Sequence, residues 1–254
     1  MITLFRRIRE KLIASGSLTR YLLYAVGEIL LVVVGILIAL QVNNWNEQQA
    51  SVNETKNHLI KKLNNLKEDM VKLEGLYSYR STLHDECREM LDTGLDQAGS
   101  GEVARLITKV TVERRFTTSV NANQVSTSPD YFKNIEGTEI DELEQDYLTM
   151  IDLVTFSENR LNTFSENLEA DLWRAGFFND NRAFFQERDA LEEQEFYSSD
   201  LPEFKLPAND ELKVLEAILR RNEITSVSLS DLYSELMNIN RNLQDTILQF
   251  LAES

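Results

Sequence analysis

Hydrophobic positions follow two different patterns along the chain, and each predicts a different kind of helix. From Tyr21 to Leu40 the run "YLLYAVGEILLVVVGILIAL" is apolar on every side. About 20 such residues are what a helix needs to cross a hydrocarbon core. From Val52 onward the pattern changes: Leu59, Leu63, Leu66, Met70, Leu73 and Tyr77 alternate spacings of four and three. This is the seam of a coiled coil or helix bundle, with Lys, Asn, Glu and Asp on the intervening faces. The same phase runs on through Arg80 and His84, which are poor seam residues, to Cys87 and Leu91. No proline or glycine lies between Trp45 and Leu73, so the spacing predicts a membrane helix that continues into this stalk.

Beyond the stalk, "DTGLDQAGSG" predicts a helix stop through its glycines. "EVARLITKVTVERRF" has helical phase from Val103 to Val110 and enough β-branching to leave a short strand open. A polar loop around "NANQVSTSPD" comes next. Thr138 and Asp141 predict a capping pair for a helix whose apolar stripe is Ile140, Leu143, Tyr147, Ile151, Val154, Leu161, Leu168 and Leu172. "ERDALEEQEFYSSDLPEFKLP" reads as a solvated connection around a short helix. Asn209 is placed to cap a helix through Leu219, and Ser228 with Asp231 to cap a last one carrying Leu229, Leu232, Leu236, Ile239, Leu243, Ile247 and Phe250. The predicted fold is therefore all-α. It comprises an amphipathic segment (1–20), a transmembrane helix (21–42), a helical stalk (43–92), and an antiparallel helical bundle (93–254) packed with the stalk.

Charge fixes the expected orientation. Arg6, Arg7, Arg9, Lys11 and Arg20 precede the span against a single acid, Glu10, whereas residues 43–254 hold 40 acids and 21 basic residues. The positive-inside rule puts the N terminus in the cytoplasm and the acidic bulk outside, as for an uncleaved signal anchor in a bacterial inner membrane with a periplasmic C-terminal domain. Met1, Phe5, Ile8 and Leu12 form one stripe with the basic residues largely off it, so residues 1–12 predict a surface helix on the cytoplasmic leaflet. Arg6, Arg7, Tyr21 and Trp45 are the expected interface anchors. An acidic surface excludes nucleic acid as a partner, because phosphate binding needs basic side chains.

Glu28 is the anomaly inside the span, ~10 Å from its cytoplasmic end at helical rise. A carboxyl group at that depth needs a hydrogen-bond partner. Glu28 shares a helix face with Gly35 and Ala39, a small-xxx-small pair of the kind on which membrane helices approach closely. The expected partner is a second copy of the chain or another membrane subunit, with snorkelling to water as the alternative.

The run "FRRIREKL…YLLYAVGEILLVVVGILIALQVNNWNE", with Gly27, Glu28, Gly35, Gln41, Asn43, Asn44 and Trp45, resembles the N-terminal signature of a large family of uncharacterised single-span proteins of Bacteroidetes and related marine bacteria. A second echo lies in "QVSTSPDYFKNIEGTEIDELEQDYLTMID", which offers Tyr147 where that family carries a tyrosine pair. The resemblance implies location and fold, and it brings no activity with it.

Candidate chemistry is sparse. There are two histidines, His58 and His84, and one cysteine, Cys87. Neither histidine follows a Glu by three positions, which a diiron bundle requires, and no Walker loop, HExxH or nucleophile elbow occurs. His84 and Cys87 lie three apart on one helical face and define only two ligands. No catalytic residue, metal site or cofactor is expected. "WRAGFFNDNRAFF" gathers Trp173, Phe177, Phe178, Phe184 and Phe185 around Gly176, either as the sealed end of the core or as a partner or ligand pocket. The expected function is a membrane-anchored, oligomerising interaction or accessory subunit without catalysis of its own. The alternative is an exported ligand-sensing bundle that signals through a partner.

Overall fold

A computed structural model describes residues 18–120, 129–190, 202–207 and 210–253. These are almost wholly helical, with no strand among them. The elements are α1 (Leu18–Thr93), α2 (Ser100–Thr111), α3 (Pro129–Ile135), α4 (Glu139–Ala175), α5 (Phe177–Asp180), α6 (Arg182–Ala190) and α7 (Asp210–Glu253). The chain divides into two compact units, Met1–Asn57 and His58–Ser254. The apolar run and the heptad seam both belong to the element α1. The surface helix expected over residues 1–12 and the side chain of Tyr21 lie outside the described residues.

In the first unit, α1 contains the only stretch among the described residues long and apolar enough to cross a membrane. Its large apolar side chains from Leu22 to Val42 are exposed, including Leu23, Leu31 and Ile38.

In the second unit, α1, α4 and α7 share one apolar core. Leu59, Leu66 and Leu73 of α1 meet Tyr147, Val154 and Leu161 of α4 and Leu229, Leu236 and Ile247 of α7. Each such leucine contributes about 1.5–3 kcal/mol by leaving water. Hydrogen bonds set the relative directions. Asn240 reaches the Leu66 carbonyl and His84 meets that of Glu223, so α7 runs antiparallel to α1. Asn240 also reaches Tyr147 and Tyr233 reaches Glu158, so α7 is antiparallel to α4 as well. A second cluster continues the core through Leu83 and Cys87, the α2 face Val103, Leu106, Ile107 and Val110, and Leu215 and Leu219.

Several local expectations change. Tyr77 is 41% exposed, and the seam passes instead through the half-buried Leu76 to buried Arg80, Leu83 and Cys87. Spacing of three and four is kept: Arg80 and Cys87 stay in the extrapolated phase, while Leu76 and Leu83 take the places expected of Tyr77 and His84. The segment left open between helix and strand is helical, because Val103, Leu106, Ile107 and Val110 fill one helical face and only that period buries them together. Thr138 is the N-cap of α4 without a side-chain cap bond; its hydroxyl donates to the Ile135 carbonyl, and Asp141 accepts from the Gly137 amide. Ser228 and Asp231 cap nothing: α7 is one helix from Asp210 to Glu253. No glycine or proline interrupts it, and Leu219, Asn222, Ser226, Leu229 and Tyr233 carry the buried stripe through the expected break. Asn209 lies outside the described residues.

Three described glycines, Gly94, Gly137 and Gly176, take left-handed backbone, and two of them end long helices. Gly94 at φ 89° ends α1 with its N–H on the Met90 carbonyl, and Gly176 at φ 90° ends α4 with its N–H on Leu172 and Trp173. Left-handed geometry of this kind costs an L side chain what glycine avoids.

Candidate functional site

Glu28, Gly35 and Ala39 fall at i, i+7 and i+11 on one face of α1, where helical geometry returns to nearly the same angle. Glu28 is half-buried, Ala39 is exposed, and a Cβ built at Gly35 meets nothing within 4 Å. At Gly35 and Ala39 the face leaves room for a helix to approach its backbone. Trp45 beyond it is 66% exposed, and Asn43 donates to Glu47 at 2.8 Å in the following turn. Arg6 and Arg7 lie outside the described residues.

The aromatic group is anchored by its own packing. Phe177 and Phe184 are buried and Phe185 half-buried, whereas Trp173 is 60% exposed and stacked on Phe178 at 4.3 Å. Phe204, which sequence reasoning did not include, packs edge-on against Phe177 at 5.5 Å and Phe184 at 5.1 Å. Buried Asn181 holds it there, donating to the carbonyls of Phe177 and Lys205 at 3.1 Å and accepting the Lys205 amide at 2.7 Å. Asn181→Ala therefore removes three hydrogen bonds and is expected to cost about 2 kcal/mol in urea unfolding. An unchanged midpoint would show that Phe204 is held by its rings alone.

The densest polar chemistry is inside the three-helix core, where the seam was expected to be apolar and its flanks wet. Lys62 is buried, ion-paired to Glu144 and donating to the Tyr131 hydroxyl at 3.1 Å, while that hydroxyl donates to Glu144. Asp69 is fully buried and accepts from the Thr118 hydroxyl and the Ser119 amide, both at 2.5 Å, and from the Tyr147 hydroxyl at 2.9 Å. Glu158 accepts the Phe116 amide on both oxygens, at 2.9 and 3.0 Å, and the Tyr233 hydroxyl at 2.6 Å. Burial pushes the Glu158 carboxyl above the usual range, opposed by the Tyr233 and Phe116 hydrogen bonds. Burial likewise raises the Tyr147 and Tyr233 hydroxyls, with the neighbouring carboxylates Asp69 and Glu158 adding to it.

Chemically these carboxylates are occupied. Asp69 and Glu158 direct their acceptor capacity at the protein's own donors, and both hold the irregular stretch 113–120 against the long helices. A polar residue at seam spacing was the available signal: Asp69 stands three residues after Leu66 and four before Leu73.

His84 and Cys87 go separate ways. His84 Nδ1 bonds the Glu223 carbonyl at 3.0 Å, and Cys87 sits in the second core cluster. Burial pushes its thiol up to about 12, with Glu86 and Glu223 adding to the shift, so it is protonated at neutral pH and a poor nucleophile. Among the described residues no three His, Cys, Asp or Glu side chains are grouped to hold a metal.

The described residues thus define a helical protein with one long apolar helix near its N terminus and a polar-stapled three-helix core. The chain belongs to a family of unknown function (DUF6090), whose model matches residues 28–196. No curated protein and no solved structure matches it.

Proposed function

We propose that the protein is a membrane-anchored, oligomerising interaction or accessory subunit of the bacterial cell envelope, with no catalytic activity of its own. The anchor crosses the inner membrane once, with the N terminus cytoplasmic, and the helical bundle is periplasmic on a coiled-coil stalk. The N-terminal signature of single-span Bacteroidetes proteins fits that assignment. One observation carries the reading: a helix with exposed large apolar side chains leaves Gly35 and Ala39 open on the face that also carries Glu28. Lipid solvates the apolar side chains, and the small residues Gly35 and Ala39 let a second helix approach the backbone closely beside the Glu28 carboxyl.

The test is the mass of the complex extracted in mild detergent. Glu28→Gln keeps a hydrogen-bonding group and is expected to weaken association modestly, while Gly35→Ile blocks backbone approach and is expected to dissociate the complex. If both variants run at the mass and composition of the parent, the intramembrane interface is wrong. Protease added to intact spheroplasts checks the orientation: a C-terminal tag should be cut without lysis, and a tag cut only after lysis reverses the topology.

A further inference from the structure

The two apolar clusters of the second unit part at a polar level. The buried members of the first end at Leu73 of α1, Leu161 of α4 and Leu229 of α7, and those of the second resume at Leu83, Leu172 and Leu219. Between them stand Arg80, Asn162, Ser165, Asn222 and Ser226, none more than 7% exposed. The helix register brings these residues together. Asn240 on Leu66 and His84 on Glu223 put Ser226 across from Arg80 in the antiparallel pair α1 and α7. Asn240 on Tyr147 and Tyr233 on Glu158 put Ser226 across from Asn162, and Asn222 across from Ser165, in the antiparallel pair α7 and α4. All four residues of α4 and α7 lie on the buried stripe of their helix, so their side chains face the common axis.

Hydrogen bonding at this level is incomplete. The Arg80 charge lies beside the Glu158 carboxyl, and its guanidinium reaches the Tyr233 hydroxyl and stands 5.4 Å from the Tyr79 ring, yet its Nε–H finds no acceptor in the chain. Asn222 donates to the Ile218 carbonyl at 3.0 Å, which leaves its Oδ1 without a donor. The Asn162 side-chain N–H groups and the hydroxyls of Ser165 and Ser226 have no partner in the chain either. Buried polar groups in folded proteins are nearly all hydrogen-bonded, to protein or to ordered water. Five unmet groups from three helices on one level therefore converge on a shared partner.

Their chemistry selects it. Arg80 Nε–H and the Asn162 amide only donate, Asn222 Oδ1 only accepts, and the two hydroxyls do both. An ion answers one of these polarities, whereas water answers both, and Arg80 already has a counter-charge in Glu158. Ser165 and Ser226 also bring less side-chain volume to the axis than the leucines on either side of them. We propose that this level is a binding site for internal water, about two molecules at roughly three hydrogen bonds each, bridging Arg80, Asn162 and Ser226 on one turn and Ser165 and Asn222 on the next. The waters tie α1, α4 and α7 together where apolar packing lapses. This goes beyond the interaction role and is independent of the intramembrane contact.

A crystal structure of the full chain in detergent, at a resolution that shows ordered water, tests it. Water density between the three helices, within hydrogen-bond reach of at least two of the five groups, is expected. A dry level overturns the proposal, whether the serine hydroxyls turn back on the Leu161 and Asn222 carbonyls of their own helices or the five groups bond one another. Density that refines as an ion overturns it too. In solution, magnetic relaxation dispersion of the water oxygen counts molecules held inside the protein. Asn162→Leu with Ser165→Ala and Ser226→Ala removes three of the bridged groups and should lose at least one long-lived water relative to the parent; an unchanged count overturns the proposal. The crystal structure uses the wild-type chain, so it decides the matter even where the triple variant fails to fold.

Discussion

Lys62→Met is expected to destabilise the second unit by about 3–5 kcal/mol, the cost of breaking a buried ion pair from one side. Lys62 is 5% exposed and its partner Glu144 is 8% exposed, so little water is at hand to replace the lost ammonium. The lesion lies less in the missing attraction than in the carboxylate left behind in a low-dielectric core, where the Tyr131 hydroxyl still donates to it. A triple variant, Lys62→Met with Glu144→Leu and Tyr131→Phe, removes charges and donor together and should recover most of the loss. Urea unfolding of the full chain in detergent separates the cases. A single-variant cost below about 1 kcal/mol would mean that the pair behaves as a surface bridge.

The pH dependence of the same group has a definite sign. Burial lowers the Lys62 amine below 10.5, with the Glu144 ion pair and hydrogen bond and the Asp141 charge acting the other way. Below its folded value the buried ammonium counts against folding. As pH rises from the folded value towards 10.5, the unfolded chain still holds a proton that the folded chain has released, so this group's contribution to stability increases. Lys62→Met abolishes that increase. Glu158 works on the acidic side: its folded value lies above 4.5, so stability declines as pH rises from the unfolded value through the folded one, and Glu158→Gln flattens that decline.

These residues also mark where the sequence stopped being informative. Leu59, Leu63, Leu66 and Leu73 were legible as a seam because a heptad of leucines is a local pattern, and local patterns survive without knowing the partner. Lys62 and Asp69 were read as wet-face residues because what buries them is far along the chain: Glu144 and Tyr131 for one, Thr118, Ser119 and Tyr147 for the other. Nothing near Lys62 in sequence announces a carboxylate 82 positions away. The break expected at Ser228 failed for the opposite reason. Ser-x-x-Asp is a real capping signature, but a cap is needed only where a helix begins, and the buried stripe of α7 runs straight through it. Phe204 was missed in the aromatic group because its partner in position is Asn181, an amide clamp that no periodicity encodes.

Asp69→Ala is expected to cost about 4 kcal/mol, from one buried and two half-buried donors left without this acceptor at about 1–3 kcal/mol each. The Thr118 hydroxyl and Ser119 amide belong to the irregular stretch 113–120, while the Tyr147 hydroxyl belongs to α4, so one carboxylate ties both to α1. Lys72 supports the same contact from the exposed side, donating to the Thr117 carbonyl at 2.9 Å and the Ser119 hydroxyl at 2.7 Å. Asp69→Asn keeps one acceptor oxygen and turns an N–H towards the remaining donors, so it should fall between Ala and the parent. Hydrogen exchange distinguishes a local from a global effect. If Asp69 is the staple, amides at Ser119 and Val120 lose protection before those of α4 and α7, because Glu158 still holds Phe116. Uniform loss across all three would instead make Asp69 a determinant of helix packing as a whole. Retained protection at Ser119 in the alanine variant would mean that Phe116 and Val120, buried in the apolar core, hold the stretch without it.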